Sequence, residues 1–177
     1  MMTQAQRWAI RPGSDEYAAY YDRYVSRVPG DAAAALGGQL EQTLALVRDL
    51  PDARTQRGYA EGKWSIREVL LHIADAERVF AYRAFRIARG DATPLASFDE
   101  NAYAPASRAN DRTMRSICDE LRAVRAATLA LIEGLPDGTE TRRGVASGQP
   151  VSARALVWIA AGHELHHRGV LEERYLG

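Results

Sequence analysis

One stretch of the chain decides the fold: residues 63–90 read KWSIREVLLHIADAERVFAYRAFRIARG. Ser65 and Glu68 have the spacing of a capping box, in which each side chain binds the backbone N–H of the other residue at a helix start. Gly90 suits the left-handed conformation that often follows a helix. The stretch therefore predicts an amphipathic helix from Ser65 to about Arg89. Its apolar residues recur with the helical period and form one face: Ile66, Val69, Leu70, Ile73, Phe80, Ala84 and Ile87.

The same periodicity predicts further helices on both sides of this one. We expect them over about residues 31–50 and 113–133, and from Ser152 towards the C-terminus, with a shorter helix over residues 15–27. No alternating apolar and polar run flanked by hairpin turns appears, so no strand pair is predicted.

Four amphipathic helices of about 20 residues predict an all-α fold, a four-helix bundle with helices about 20° from antiparallel. The connections at residues 90–112 and 135–151 exceed the usual length between bundle helices, so they predict crossovers or functional loops. We expect a single domain over residues 1–177, in which residues 1–30 are an N-terminal extension carrying the short helix.

Composition excludes several classes of protein. The chain has 23 basic and 23 acidic residues, so it lacks the basic excess typical of nucleic-acid binding. No apolar run of membrane-spanning length and no signal-peptide pattern appear. Cys118 is the only cysteine, which excludes an internal disulfide. We therefore expect a cytoplasmic protein that binds neither nucleic acid nor membrane.

The four histidines point to a metal site. They are His72, His163, His166 and His167. His163 and His167 are four residues apart, so both rings project from one helix face at a spacing that suits two ligands of one ion. His72, at the edge of the inner face of the 65–89 helix, could supply a third nitrogen. Two alternatives stay open: His72 has a purely structural role, or the pair is His163 and His166.

Two carboxylates near these histidines are candidate catalytic groups. The segment from His163 to His167 matches H-E-x-x-H, in which Glu164 would be the general base of a zinc protease, but the downstream ligands of such proteases are missing. Glu164 lies off the inner stripe and is expected to be solvated. Glu77 lies near the inner stripe of its helix, where it would orient a ligand or pair with Arg122 or Arg125.

Two groups of aromatic residues complete the expectations. Tyr17, Tyr20, Tyr21 and Tyr24 form either a packing face or a substrate wall. Trp158 lies off the ligand stripe and could serve a dimer surface.

The sequence resembles the DinB/YfiT-like family, the damage-inducible DinB proteins and not the DNA polymerase that shares their name. The resemblance is carried by KWSIREVLLHIADAERVF at residues 63–80, by RGD at 89–91 and FD at 98–99, and by AGHELHHRG at 161–169. It extends from about Arg11 to Tyr175.

This resemblance implies a four-helix bundle with a long crossover connection, often a homodimer, and a divalent metal held by His72, His163 and His167. His166 is not a ligand in the family pattern. Some relatives are thiol S-transferases or isomerases that use low-molecular-weight thiols such as bacillithiol or mycothiol. Others are described as metal-dependent hydrolases, and many have no demonstrated activity.

An ion held by three histidines keeps open positions for water or substrate, as catalytic sites do. We therefore expect a metal-dependent enzyme of the thiol S-transferase type that uses a low-molecular-weight thiol and a small-molecule substrate. The alternatives are a metal-dependent hydrolase and a non-catalytic metal-binding stress-response module. Zinc is the expected ion because imidazole suits it, with nickel, manganese or iron as alternatives.

Overall fold

The computed structural model describes residues 6–177. The α-helices are α1 (Asp22–Val25), α2 (Ala32–Ala45), α3 (Asp52–Thr55), α4 (Ile66–Ala88), α5 (Glu100–Ala106), α6 (Met114–Gly134) and α7 (Ala153–Val170). Short 3-10 helices span Gln6–Trp8, Ala19–Tyr21, Ala109–Asp111 and Thr139–Thr141, and a π-helical turn spans Leu171–Tyr175. Two strands, β1 (Arg143–Ala146) and β2 (Gln149–Ser152), pair antiparallel.

Four long helices form the predicted bundle. α4 packs against α6 and α7, and α2 packs against the same two helices from the other side. The connections from α2 to α4 and from α6 to α7 therefore both cross the bundle. The connection at residues 90–112 does not, because it joins the neighbouring helices α4 and α6 through α5. No helix in the described part of the chain combines the length and apolarity needed to cross a membrane.

Side-chain caps fix where these helices begin. The Ser65 hydroxyl accepts a hydrogen bond from the Glu68 N–H at 3.1 Å, and the Glu68 carboxylate accepts one from the Ser65 N–H at 2.7 Å. The predicted capping box is therefore confirmed. Ser152 caps α7 in the same manner by accepting from Ala155 N–H at 3.0 Å. These caps set the helical register in which the histidines lie.

The expectation of no strand pair is wrong at one place. Ser147 and Gly148 join β1 to β2 with φ values of 54° and 74°, the positive values that two-residue hairpin turns require. Each strand has only four residues, too few to produce an alternating pattern. Leu95 extends the pair, since its N–H donates to Val145 O at 2.9 Å.

Two of the predicted helices are shorter than expected. Residues 15–27 contain only one 3-10 turn and the four-residue α1. The reason is Glu16, whose carboxylate accepts from Gly13 N–H and from Ser152 Oγ and so ties the chain to the start of α7. α2 ends at Ala45 rather than near residue 50, and the chain continues in 3-10-type hydrogen bonds.

The expected surface position of Trp158 is also wrong. Its side chain is buried at 2% exposure, and its indole N–H donates to the carbonyl of Trp8 at 3.0 Å. The N-terminal 3-10 helix covers the face of α7 that the sequence left open. Trp158 therefore belongs to the core.

A buried charge cluster, formed by Arg125, Glu77, Glu164, Gln39 and Thr43, connects all four long helices. Arg125 of α6 donates to both oxygens of Glu77 on α4 at 2.9 and 2.8 Å. It also donates to Glu164 on α7 at 2.6 Å. From α2, Gln39 and Thr43 each donate to Glu164 at 2.7 Å. Burial lowers the pKa of Arg125, but the hydrogen bonds and charges of the two carboxylates outweigh burial and raise it.

We expect Arg125→Met to reduce the free energy of unfolding by about 3–5 kcal/mol, because it leaves two buried carboxylates without their counter-ion. Urea unfolding measures the change. The matched control is Arg122→Met on the same helix, which breaks a half-exposed ion pair with Glu41 and should cost less than about 1 kcal/mol. Equal losses in the two variants would contradict a dominant role for the buried cluster.

Candidate metal centre

The packing of α4 against α7 brings together three histidines that are far apart in sequence. Nε2 of His72 lies 3.0 Å from Nε2 of His163 and 3.1 Å from Nε2 of His167. One ligand atom from each ring lies within 4.8 Å of the others. We call these three residues the histidine triad. No other His, Cys, Asp or Glu within residues 6–177 joins it.

The chemistry of these contacts fits a cation. An imidazole Nε2 either carries a proton or offers a lone pair, so that of His72 can satisfy only one of its two contacts. The other short contact is left without a well-directed hydrogen bond, whereas a cation bound by all three nitrogens would use every lone pair. Two nitrogens bound at about 2.1 Å to one tetrahedral ion lie roughly 3.4 Å apart, a few tenths of an ångström more than the 3.0 and 3.1 Å between His72 and its two partners.

Burial keeps the triad in the neutral state that metal ligation requires. It lowers the pKa of His72 to about 4. Burial, followed by the charges of the neighbouring histidines, holds the pKa values of His163 and His167 well below their ordinary value. The triad is therefore uncharged at neutral pH.

His166 lies outside the triad. Its ring packs beside those of Tyr24 and His167, with centroids 5.4 and 5.1 Å away. The structure thus places His167, rather than His166, with His163 and His72.

Neither candidate catalytic carboxylate, Glu77 or Glu164, is free to act at the triad, because Arg125 binds both of them. Glu164 is 1% exposed, so the expectation that it is solvated is wrong. The reason is that α2 covers the side of α7 that its sequence pattern marked as polar. Glu164 binds Arg125, Gln39 and Thr43, which leaves no position for the protease general base. Glu77 forms the ion pair with Arg125 that was one of its two expected roles.

Two cavities lie beside the triad, and each is lined by different histidines of it. The first, which we call the tyrosine cavity, has a volume of about 230 Å³ and includes His72 and His163 in its lining. Its other lining residues are Tyr20, Tyr21, Tyr24, Phe80, Phe98, Glu100 and Ser147. The second, the lysine cavity, has a volume of about 240 Å³ and includes His167. The rest of its lining is Tyr59, Gly62, Lys63, Trp64, Val69, Asn101, Val170 and Tyr175.

Three of the four N-terminal tyrosines form part of the site. Tyr24 is buried, and its ring centroid lies 5.2 Å from that of His163. Tyr20 and Tyr21 line the same cavity, whereas Tyr17 donates to Asp22 at 3.1 Å and lines neither cavity. Tyr20, Tyr21 and Tyr24 therefore line a cavity beside the triad, while the buried Tyr17 and Tyr24 also pack in the core.

Other lining residues come from loops, and sequence analysis missed them. Glu100 and Asn101 begin α5 inside the long connection, where Asp99 caps the helix. Ser147 is the hairpin turn residue. Arg83, buried at 2% exposure, holds these segments on α4 by donating to Ala96 O at 2.6 Å and to Ser147 Oγ at 3.0 Å. Asp99, a helix-capping residue type, is the one local feature of the sequence that indicates where α5, and with it this part of the cavity lining, begins.

The comparisons with known proteins agree with this architecture. The family model described as DinB superfamily matches residues 35–171. The chain belongs to the DinB superfamily. A search of curated proteins found no match. Among solved structures, the chain resembles YfiT from Bacillus subtilis, described as "a probable metal-dependent hydrolase with an unusual four-helix bundle topology". The TM-score is 0.73 at 15% identity over 97% of this chain and 95% of that chain, which establishes the shared fold.

We expect the metal-free DinB protein to lose stability as the pH falls from about 7 to 4. Unfolded imidazoles titrate near pH 6.5, whereas His72 stays neutral in the fold down to about pH 4. The unfolded state then binds more protons, which lowers the free energy of unfolding by about 1.4 kcal/mol per pH unit for each proton. Urea unfolding across this range measures the slope. A His72→Gln variant with an unchanged slope would contradict this origin.

Gly162 allows residues 20–24, which carry the three tyrosines of the tyrosine cavity, to touch α7. A Cβ atom there would lie 2.0 Å from the carbonyl oxygen of Tyr24, so we expect Gly162→Ala to displace this segment and cost about 1–3 kcal/mol. Thermal unfolding is the measurement. Gly169→Ala is the control on the same helix, since its Cβ would meet only an Arg27 nitrogen at 3.9 Å. That control should be neutral or stabilising by up to about 1 kcal/mol. A stabilised Gly162→Ala variant would refute the close contact.

Proposed function

We propose that this DinB superfamily member is a metal-dependent enzyme of the thiol S-transferase type. His72, His163 and His167 would hold a divalent ion, and a low-molecular-weight thiol would be joined to a small electrophile. Zinc is the ion we propose first, because imidazole suits it, with nickel, manganese or iron as alternatives.

The observation that carries this proposal is the division of the triad between two cavities with no lining residue in common. A transfer reaction needs space for two organic substrates beside one reactive centre, whereas hydrolysis needs space for one substrate and water. A triad without a fourth protein ligand among the described residues also favours an open catalytic site over a closed structural one.

The ion would supply one element of the chemistry, the deprotonation of a bound thiol at neutral pH. The chain's own residues account for the rest. Three neutral imidazoles leave the positive charge of the ion available to an anionic sulfur. The rings of Tyr24, Phe80 and Trp64 pack against the histidine rings and give the site apolar walls. Burial raises the pKa of Tyr24, so its hydroxyl keeps its proton and can donate a hydrogen bond to a leaving group.

A metal-dependent hydrolase is the second candidate. Glu100 lines the tyrosine cavity together with His72 and His163, where its carboxylate could accept a proton from attacking water. The description of YfiT points in the same direction. A non-catalytic metal-binding stress-response module is the third candidate, and it predicts metal binding without turnover.

We also propose a cytoplasmic homodimer. An apolar groove of about 490 Å³ between α4 and α6 exposes Tyr82 and Phe85, which favours self-association. Burial raises the pKa of Cys118, so its single thiol is unreactive and suits a reducing compartment.

We expect His163→Ala to lose bound metal and thiol-conjugating activity together, because one of three ligands is removed. Elemental analysis gives the metal content, and consumption of thiols with 1-chloro-2,4-dinitrobenzene gives the activity. His166→Ala is the control on the same helix turn and should keep both. Full metal occupancy in His163→Ala would refute the ligand set. Metal-loaded protein that hydrolyses esters or amides but conjugates no thiol would favour the hydrolase.

A further inference from the structure

The two cavities beside the triad are lined by charged residues of opposite sign, although the guanidinium of Arg23 also lies against the Tyr20 ring at the tyrosine cavity. Among the acidic and basic residues, Lys63 is the only one that lines the lysine cavity, and Glu100 is the only one that lines the tyrosine cavity. Lys63 is also the only lysine of the chain. Within residues 6–177 no carboxylate forms an ion pair with it, whereas Arg67, four residues later, pairs with Asp52. Its ammonium group is therefore available to a ligand.

The cavities also differ in which part of the triad they reach. The lysine cavity includes His167, and its wall includes Trp64, whose ring lies 4.9 Å from that of His72 between centroids. The tyrosine cavity includes His72 and His163. Glu100 and Asn101 are consecutive residues, yet each lines a different cavity. The start of α5 therefore borders both spaces and gives them different polar groups.

We propose that the lysine cavity binds a thiol that carries a carboxylate, with Lys63 pairing with that carboxylate and Asn101 offering an amide hydrogen bond. The tyrosine cavity then takes an uncharged aromatic electrophile, which stacks on its tyrosine and phenylalanine rings, while Glu100 repels anionic electrophiles. Assigning the cavities in this way presupposes the thiol transfer proposed above. It adds the substrate class and two residues that determine specificity.

The reaction that this arrangement serves is a balanced substitution. The sulfur of the thiol forms a bond to the electrophilic carbon, and the bond from that carbon to its leaving group breaks. The leaving group departs with the bonding electron pair as an anion, and the thiol proton passes to solvent. A charge-assisted hydrogen bond from Lys63 to the carboxylate would improve thiol binding roughly tenfold or more.

Thiol binding tests the role of Lys63 separately from turnover. Trp64 lines the lysine cavity, so its fluorescence reports a ligand there, and Trp64→Phe identifies its share of the signal. In metal-loaded protein we expect Lys63→Met to weaken binding of 3-mercaptopropionate roughly tenfold and to leave 2-mercaptoethanol unchanged. Arg23→Met is the matched control: it removes a cation whose guanidinium carbon lies 3.5 Å from the Tyr20 ring centroid, beside the other cavity. It should leave the binding of both thiols unchanged.

Electrophile selectivity tests the role of Glu100. Wild-type protein should prefer 1-chloro-2,4-dinitrobenzene to the anionic 4-chloro-3,5-dinitrobenzoate, and Glu100→Gln should reduce this preference in kcat/KM several-fold. Lys63→Met should not alter it.

The outcomes separate this inference from the proposed function. If wild-type protein conjugates thiols but Lys63→Met binds both thiols as the wild type does, the assignment of the lysine cavity is wrong and the transferase stands. If Arg23→Met alone weakens mercaptopropionate binding, the thiol enters the tyrosine cavity and the assignment is reversed. If metal-loaded wild-type protein neither binds nor conjugates any thiol, the transferase itself fails.

Discussion

The register between α4 and α7 is the constraint on which the site depends. One residue of slip moves a helical side chain by about 1.5 Å along the axis and about 100° around it, enough to separate His72 from the other two rings. The buried charge cluster opposes such a slip, because Glu77 lies five residues after His72 and Glu164 directly follows His163. Arg125 binds both carboxylates and therefore fixes the two helices that carry the triad. The buried charge cluster therefore also determines where the three histidine rings lie.

Local signals in the sequence predicted most of the bundle. The capping box at Ser65, the helical periodicity after it and the spacing of His163 and His167 depend only on neighbours along the chain, and the structure reproduces each of them. The DinB superfamily match agrees with the fold that these signals and the family resemblance implied. The meeting of His72 with the C-terminal pair was implied by the family resemblance, since the sequence pattern alone left a purely structural role for His72 open.

Features that depend on distant contacts were harder to predict. Glu164 looked solvated because periodicity describes one helix alone, and nothing local showed that α2 would cover its other side with Gln39 and Thr43. Trp158 was misplaced for the same reason. Its partner, the carbonyl of Trp8, lies 150 residues away. The cavity walls come from the N-terminal segment, the α5 region and the hairpin, whose positions are set by tertiary hydrogen bonds such as those of Arg83.

The contact between Gly162 and Tyr24 also limits how the tyrosine cavity could be redesigned. The backbone of α7 at Gly162 touches the backbone at Tyr24, so this side of the cavity can neither move outward nor accept a larger residue unless a helix moves. Tyr20, in contrast, lines the same cavity and is 57% exposed. Variation at residue 20 should therefore be the tolerated route by which related chains, or directed evolution, adapt this cavity to bulkier molecules.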